Sequence, residues 1–289
     1  MEATRLPGNP IITPFMDRWM GRNVNGPSMI RVPDWVENPL GRYYLYFGNH
    51  MGTYIRLAYA DTPEGPWQMH EPGTLDVRQS FMLEHIASPD VIVDDAKKEI
   101  RLYYHGVVSA APGIQQATKV ALSKDGLSFS ARTAVLGDPY FRVFEWKNDY
   151  YALARNATLW RSSDGLQPFE KGPDIGFPDH IRHVAVWLEG DMLKVFFTRI
   201  GDAPEHIAMC EVDLDSDWNN WLVSDPEEIL RPEETYEGGE LPVEPSVRGD
   251  IMERANQLRD PYVFADGDKL YLLYSVAGES GIAIAALAN

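Results

Sequence analysis

The segment SPDVIVDDAKKEIRLYYHG, residues 88–106, decides the fold. In it the apolar run DVIV is followed by the polar turn DDAKKE and then by IRLYYHG, which is rich in aliphatic and aromatic residues. Short runs of this kind around a polar turn are typical of two antiparallel strands. The next segment, TKVALSKDGLSF (118–129), predicts a third strand that ends in an Asp-Gly turn. Together these segments predict one three-stranded unit.

The same order of elements recurs four more times along the chain. Each repeat has an apolar strand, a turn, a Tyr- or Phe-rich strand and a third strand. Radial repetition of such units builds a propeller and protects the strand edges, whereas a β-sandwich with irregular loops is the alternative. We predict an all-β, five-bladed β-propeller in a single domain, residues 1–289, with blades at approximately 25–67, 85–130, 140–170, 181–218 and 257–289. Residues 8–14 are a candidate outer strand, and long loops between blades are predicted at 68–84, 170–180 and 219–256.

Composition limits the class of partner. The chain has 26 Lys and Arg against 43 Asp and Glu, a net charge of −17, which predicts no binding to nucleic acid or an anionic membrane through the overall field. The sequence contains neither an apolar run long enough for a membrane span nor a signal-peptide pattern at its start, and we predict a cytoplasmic protein. The single cysteine, Cys210, lies in the strand-like run IAMCEV and is expected in the core.

Propeller geometry predicts where a ligand pocket lies. The first strand of each blade starts at one face of the central channel, and the second strand ends at that same face. The residues at these positions are rich in Arg and include four of the seven histidines in the chain. The first-strand starts are Asn25, His85, Ser88, Asp90, Arg142, Arg182, His183, Arg259 and Asp260, and the second-strand ends are Asn49, His50, His105, Arg155, Arg199, Asp202 and Glu279. We interpret this set as a ligand site, the alternative being structural side chains that hydrogen-bond one another.

Several segments resemble the five-bladed propeller glycosidases, above all glycoside hydrolase family 43 and the related families 32, 68 and 117. The resemblance rests on the five repeats, on SPDVIVD and on the opening NGPSMIRVPDWVENPLGRYYLYFGNHMGTYIRLAYADTPEGPW (25–67). It implies a general-base Asp before a proline in the first blade, an orienting Asp in the second and a general-acid Glu in the third. Asp90 matches the second of these. The first blade instead reads Asn25-Gly26-Pro27, and the third offers Arg142 in place of the acid.

The resemblance and the chemistry of glycoside hydrolysis together suggest catalytic roles. Inversion requires one group that activates water and a second that protonates the leaving oxygen. We predict Asp260 as the base or a substrate-orienting acid and Asp90 as the orienting acid. Because family 117 is thought to use a histidine as its acid, His85 or His183 is predicted to fill that role, with Glu253 in reserve.

The predicted activity is cleavage of a terminal sugar from an oligosaccharide by acid–base catalysis. A phosphorylase, a lyase and a non-catalytic sugar-binding propeller remain alternatives. Arg142, Arg182 and Arg259 could pair with a sugar carboxylate, sulfate or phosphate, which suggests an acidic or anhydro-sugar substrate, or they could neutralise acids of the channel itself. Further predicted substrate-binding residues are Asn25, His50, His105, Arg155 and Arg199.

Sugar rings often stack on aromatic side chains, and the candidates for such stacking are Trp19, Trp35 and Trp146. The sequence has no metal-ligand motif such as H-E-x-x-H or C-x-x-C. We therefore predict that no cofactor is required. The resemblance is compatible with a structural ion in the central channel.

Overall fold

Five four-stranded antiparallel sheets form a ring in the computed structural model, which describes residues 1–111 and 116–288. This confirms the predicted five-bladed propeller. The first strand of the chain, β1 (Glu2–Arg5), belongs to the last blade. Blade one contains β2 (Asn25–Arg31), β3 (Tyr43–Gly48), β4 (Tyr54–Ala60) and β5 (Gln68–Asp76). Blade two contains β6 (Ile86–Asp94), β7 (Glu99–Val107), β8 (Gln116–Ser123) and β9 (Ser130–Ala131).

The other three blades follow in chain order. Blade three contains β10 (Arg142–Trp146), β11 (Asp149–Leu153), β12 (Leu159–Ser162) and β13 (Glu170–Lys171). Blade four contains β14 (Ile181–Glu189), β15 (Met192–Arg199), β16 (Ile207–Asp213) and β17 (Glu227–Leu230). Blade five contains β18 (Arg259–Asp266), β19 (Lys269–Ser275), β20 (Ile282–Ala288) and β1. The predicted end of this blade, Asn289, lies outside the described residues.

Short 3₁₀ turns are the only helical elements in the described chain. They span Val77–Gln79, Arg155–Ala157, Trp218–Asn220 and Thr235–Glu237. Across the described residues, no helix is both long and apolar enough to cross a membrane.

The aromatic second strands are buried because both of their faces pack against neighbouring blades. In β3, Tyr43, Leu45 and Phe47 contribute to the core shared with blade five. Tyr44 and Tyr46, on the opposite face, contribute to the core shared with blade two. Side chains alternate between the two faces of a strand, so an unbroken apolar run supplies both cores. Cys210 lies in such a core between blades three and four, as predicted, and burial raises the pKa of its thiol to about 11.

Two Asp-Gly turns, Asp125-Gly126 in blade two and Asp164-Gly165 in blade three, join adjacent blades. The Tyr46 hydroxyl donates to the Gly126 carbonyl over 2.8 Å, and the Tyr103 hydroxyl donates to the Gly165 carbonyl over 3.0 Å. Each turn therefore accepts a buried tyrosine hydroxyl from the preceding blade. The repeated turn thus satisfies a polar group that the aromatic strands would otherwise leave unpaired.

Strand β1 closes the ring by pairing with β20, with Glu2 opposite Ala288. The predicted outer strand at 8–14 is therefore wrong, because that segment makes only an isolated bridge between Ile12 and Ile282. The loop predicted at 68–84 is also wrong in part, since β5 occupies 68–76. β5 is an outer strand with mostly exposed or half-buried residues, so its sequence lacks the apolar pattern that marks inner strands.

Candidate active site at the channel mouth

The first strands of four blades carry a β-bulge at the channel mouth. The shifts in strand register lie between Asn25 and Ser28, Ala87 and Asp90, Ile181 and Val184, and Arg259 and Tyr262. Each shift encloses one dipeptide, and these are Gly26-Pro27, Ser88-Pro89, Arg182-His183 and Asp260-Pro261. A bulge locally re-aims side chains, and bulges are frequent next to active sites. The four dipeptides therefore occupy equivalent positions around the mouth.

Asp260 occupies in blade five the position that Gly26 occupies in blade one. Both residues precede a proline, and both have a positive φ, 46° for Asp260 and 63° for Gly26. A Cβ on Gly26 would lie 3.3 Å from the Cα of Ser88, so that a side chain there would be both strained and crowded. Blade one therefore has no carboxylate at the position that Asp260 occupies in blade five. The Asp-Pro pair is instead found in blade five.

Asp90 and Arg142 are buried below the mouth, where they connect several blades. The Arg142 Nη1 atom lies 3.5 Å from Asp90 Oδ1, and its Nε donates to the Val184 carbonyl over 3.1 Å. The guanidinium also stands 5.4 Å from the Tyr262 ring centroid. Asp90 Oδ2 accepts from the Val143 amide over 2.7 Å. Burial raises the pKa of Asp90 although the Arg142 charge opposes this shift. These contacts indicate a structural role for the pair.

The residues around Arg142 show whether the central channel could hold the structural ion with which the resemblance is compatible. Arg142 places a positive charge in the layer below the mouth, with donors directed at backbone carbonyls of three other blades. No group of three or more His, Cys, Asp or Glu side chains in the described part of the chain could hold a metal ion. The residues of this layer therefore do not fit a bound cation.

Two adjoining cavities, of about 110 and 30 Å³, open at the mouth and share His50, Tyr140 and His183 as lining residues. Polar residues that line only one of them are Asn25, Ser88, His85, His105, Gln116, Arg155, Asn156, Arg182 and Arg248. Within residues 1–111 and 116–288, no Asp, Glu or Lys lines either cavity. The structure thus brings together the four histidines that the sequence placed at this face. The lining is basic although the chain as a whole is acidic.

His183 is backed by a buried carboxylate. Its Nδ1 faces Asp260 Oδ1 directly, and Asp260 Oδ2 accepts from the Ser275 hydroxyl over 3.2 Å. With Nδ1 directed at the carboxylate, an imidazole that carries its proton on Nδ1 would keep the lone pair of Nε2. Burial lowers the pKa of His183 well below its usual range, and the charges of Arg182 and Arg142 lower it further. Both effects favour the neutral imidazole, which is the form that can accept a proton.

Two other basic groups at the mouth also have buried carboxylates behind them. His50 Nδ1 lies 3.5 Å from Glu279 Oε1, and Arg259 Nη1 lies 3.0 Å from the same oxygen. Arg182 binds Glu205 in a bidentate manner over 2.8 and 3.0 Å. Burial alone would raise the pKa of Glu279, but the hydrogen bond from His50 and the charge of Arg259 outweigh it and the pKa is lowered. Arg182 and Arg259, predicted to bind substrate, are therefore engaged by carboxylates of the protein.

An aromatic row lines the cavities. The Tyr140 ring lies 4.0 Å from that of His105 and 4.6 Å from that of His183, measured between centroids. The φ of Tyr140 is 70°, a conformation that costs about 1–3 kcal/mol for a residue other than glycine and that clusters at functional sites. The Nδ1 atoms of His85, His105 and His183 are buried and make no regular hydrogen bond among the residues described.

Buried neutral histidines make the stability of the protein sensitive to acid. Burial lowers the pKa of His85, and it lowers the pKa of His105 far more strongly. Below pH ~6.5 the unfolded chain therefore binds protons that the folded chain does not, so that the unfolding free energy falls as the pH falls. We expect a loss of up to about 1.4 kcal/mol per pH unit for each such histidine. Urea unfolding between pH 7.5 and 5 measures this slope.

The variant His105→Gln removes one of these titrating groups and so measures its contribution to the pH dependence of the unfolding free energy. Its unfolding free energy should depend less steeply on pH than that of the wild type, whatever its stability at pH 7.5. Equal slopes for the two proteins would show that His105 is not a neutral buried group.

Two predicted site residues lie away from the cavities. Glu253 is exposed, with its carboxylate 4.0 Å from Arg22, and lines a separate groove on the surface. Arg199 pairs with Asp202 over 3.2 Å and lines neither mouth cavity. Asn25, by contrast, lines the smaller cavity and donates to Glu279 over 3.0 Å.

The tryptophans predicted to stack on sugars also lie outside the cavities. Trp35 donates to Asp95 and Trp146 donates to Asp191, both over 2.8 Å. These acceptors follow the first strands of blades two and four, at the face opposite the mouth. Trp19 is 62% exposed and lines neither cavity. No tryptophan among the described residues therefore contributes to the mouth.

Several residues of the site were not predicted from the sequence. Tyr140 lies two positions before the predicted strand start at Arg142 and follows an Asp-Pro turn, a signal that could have identified it. Arg248 and Glu205 lie in segments read as loops. Glu279 was recognised as the end of a second strand, but its position behind His50 required the structure.

Comparison with known proteins places the chain in a family. No protein-family model matches the sequence. The chain is 37% identical over 323 residues to the uncharacterized protein R118 of Acanthamoeba polyphaga mimivirus, and the match covers 99% of this chain and 90% of the viral protein. The chain belongs to the same family as this viral protein. The family membership by itself assigns no activity.

Solved structures share the fold at low identity. A candidate glycosidase from Bacteroides thetaiotaomicron is 13% identical with a TM-score of 0.71, covering 98% of this chain and 96% of that one. A structure from the GH130 family of mannoside phosphorylases, which contains glycoside hydrolases acting on β-1,2 mannosidic linkages, is 13% identical with a TM-score of 0.68, covering 98% and 93%. A family-43 enzyme from Xanthomonas citri, complexed with xylose, is 12% identical with a TM-score of 0.64, covering 96% and 90%. The resemblance to propeller glycosidases is thereby confirmed for the fold.

Proposed function

We propose that the channel mouth cleaves a glycosidic bond by acid–base catalysis, with His183 as the principal proton-transfer group. The observation that carries this proposal is the contact between His183 and the buried Asp260 at a cavity lined by no acid among the described residues. Asp260 is only 2% exposed and acts through His183, which makes it a positioning residue. The imidazole Nε2 takes a proton from the attacking water.

His50 is the proposed partner that protonates the leaving oxygen. It lines both mouth cavities together with His183, and Glu279 stands behind its Nδ1. A general acid must donate a proton to the leaving oxygen, and histidine is a side chain that can carry one near neutral pH. The two histidines replace the pair of carboxylates that such a reaction otherwise uses.

Product analysis over a panel of oligosaccharides tests the proposal. The protein is incubated with each glycan, with and without inorganic phosphate, and the products are separated and tested for reducing ends and ultraviolet absorbance. Release of a reducing sugar without phosphate supports hydrolysis. A phosphate-dependent sugar phosphate would assign phosphorolysis, and an unsaturated ultraviolet-absorbing product would assign a lyase. Sugar binding without turnover on any glycan would contradict an enzymatic role.

A further inference from the structure

Arg155 and Arg248 line the larger mouth cavity without a counter-charge. Neither guanidinium makes a hydrogen bond or ion pair with any residue in 1–111 and 116–288. The buried arginines Arg142, Arg182 and Arg259, in contrast, each contact a carboxylate. Two arginines without a counter-charge therefore line one cavity of a chain that has 43 acidic and 26 basic residues. Arg155 is half-buried and Arg248 is exposed, so both guanidinium groups can accept an anionic partner that enters the cavity.

The backbone that carries Arg155 is held in a strained turn. The Arg155 amide donates to the Pro139 carbonyl over 2.9 Å. The next two residues, Asn156 and Ala157, have φ values of 59° and 54°. Consecutive left-handed residues other than glycine persist only where the surrounding structure imposes them. The turn brings both Arg155 and Asn156 to the cavity.

Arg248 lies on the connection between β17 and β18, and the backbone on both sides of it is anchored. Arg182 Nη2 donates to the Val247 carbonyl over 2.7 Å, and Arg259 Nη1 donates to the Gly249 carbonyl over 3.1 Å. The carboxylate of Glu205 holds Arg182 in turn. Arg182, held by Glu205, and Arg259 therefore fix the backbone that places the exposed Arg248 at the mouth. Such a fixed backbone lowers the entropy lost when a ligand binds.

Arg155 and Arg248 are both close enough to Tyr140 to influence its hydroxyl group. Burial raises the pKa of the Tyr140 hydroxyl, and the positive charges of Arg155 and Arg248 both oppose this rise. His183 packs against the same tyrosine ring, 4.6 Å away. An anion held by the two arginines would therefore lie beside the proposed proton-transfer group.

A groove of about 450 Å³ continues from this point and shares Asn156 and Arg248 with the mouth cavity. Its lining includes Lys171, Phe177 and His180 and also the acids Asp174 and Asp179. The volume lies in the range of about 300–1,000 Å³ that is usual for ligand pockets. The groove can accommodate sugars beyond the one at the mouth, with Arg248 at the junction and Arg155 on the side of the mouth cavity.

We infer that Arg155 and Arg248 form an oxyanion-binding subsite and that the substrate is an oligosaccharide carrying a carboxylate or sulfate on the sugar at the mouth. This inference rests on the proposed function, because it specifies the substrate class of that site. The same subsite could bind free phosphate. The experiment therefore distinguishes binding of a charged group on the sugar from binding of phosphate in solution.

Equilibrium binding tests the subsite independently of turnover. Trigalacturonate, glucuronate-capped xylotriose and a sulfated galactobiose are titrated calorimetrically, each against its methyl ester or unsulfated counterpart, and inorganic phosphate is titrated alone. We expect at least one anionic probe to bind ten times more tightly than its neutral counterpart. Arg155→Gln and Arg248→Gln should each weaken that binding about 10- to 100-fold, the range for a charge-assisted hydrogen bond, and leave the neutral probe unaffected. Arg132→Gln, which removes an exposed arginine that lines none of the cavities described, should change neither.

The outcomes distinguish the subsite from the catalytic proposal. Equal affinity for anionic and neutral probes, or equal loss of both in the arginine variants, would overturn the subsite. Phosphate binding that both variants abolish would support the subsite and assign its oxyanion to phosphate. Titrations repeated in His183→Ala should retain the preference for the anionic probe. If that preference persists while no glycan is cleaved by the wild type, the proposed function fails and the subsite stands.

Discussion

Replacing His183 by alanine is expected to lower kcat/KM by at least ~100-fold, the usual scale for an acid–base group. The loss follows from the position of the imidazole at the cavity, with its Nδ1 against Asp260. Steady-state kinetics on the glycan identified by product analysis provide the measurement. His70→Gln is the matched control, since His70 lies on the outer strand β5 and lines none of the cavities described. Wild-type activity in His183→Ala would contradict the proposed role.

Asp260→Asn tests whether the carboxylate acts through His183. We expect a loss of similar size, ~100-fold or more, because an amide can donate to Nδ1 and stabilise the wrong tautomer. Removing the negative charge should also lower the pKa of His183, so that the acid limb of the pH–rate profile moves to lower pH. A purely structural role for Asp260 would reduce the activity without moving this limb.

Asp90→Ala is expected to destabilise the protein by about 3–5 kcal/mol, because it leaves a buried arginine charge without its partner. Asp90 is 3% exposed, contacts Arg142 and accepts the Val143 amide, so its removal leaves that amide without an acceptor and the Arg142 charge without a counter-charge. Asp90→Asn retains an oxygen acceptor for that amide and should cost less. The midpoint and slope of urea unfolding measure both changes.

The control for this substitution is Asp268→Ala at an exposed turn, which should leave the unfolding free energy nearly unchanged. The decisive comparison is between stability and activity. If Asp90→Ala unfolds like the wild type but loses its activity, Asp90 is an acid of the mouth, as the sequence analysis predicted, and the structural role is wrong.

The structure divides the polar residues at strand ends into two groups that look alike in the sequence. Asp90 and Asp260 both adjoin a proline at the start of an apolar strand. Asp260 lies within its β-bulge, whereas Asp90 follows its bulge and faces the layer below the mouth. The extra residue of a bulge changes which side chains face the channel, and periodicity alone does not show where that residue is inserted.

The partners of the basic residues were equally inaccessible to sequence analysis. Glu205 and Arg259 lie 3.6 Å apart although more than fifty positions separate them in the chain. Whether an arginine binds substrate or an internal acid depends on such contacts. This explains why Arg182 and Arg259 are engaged inside the protein, while Arg155 and Arg248 are available at the cavity.

The sequence by itself determined the five-bladed propeller and the face at which its histidines meet. Both follow from local signals, because two-residue alternation, aromatic second strands and Asp-Gly turns act over a few residues, and the repeat order then specifies the ring. Only the tertiary structure decided which polar groups are catalytic candidates and which hold the channel together. That division depends on packing between blades, where a bulge in one strand and a carboxylate from a distant segment together set the direction and charge of a side chain.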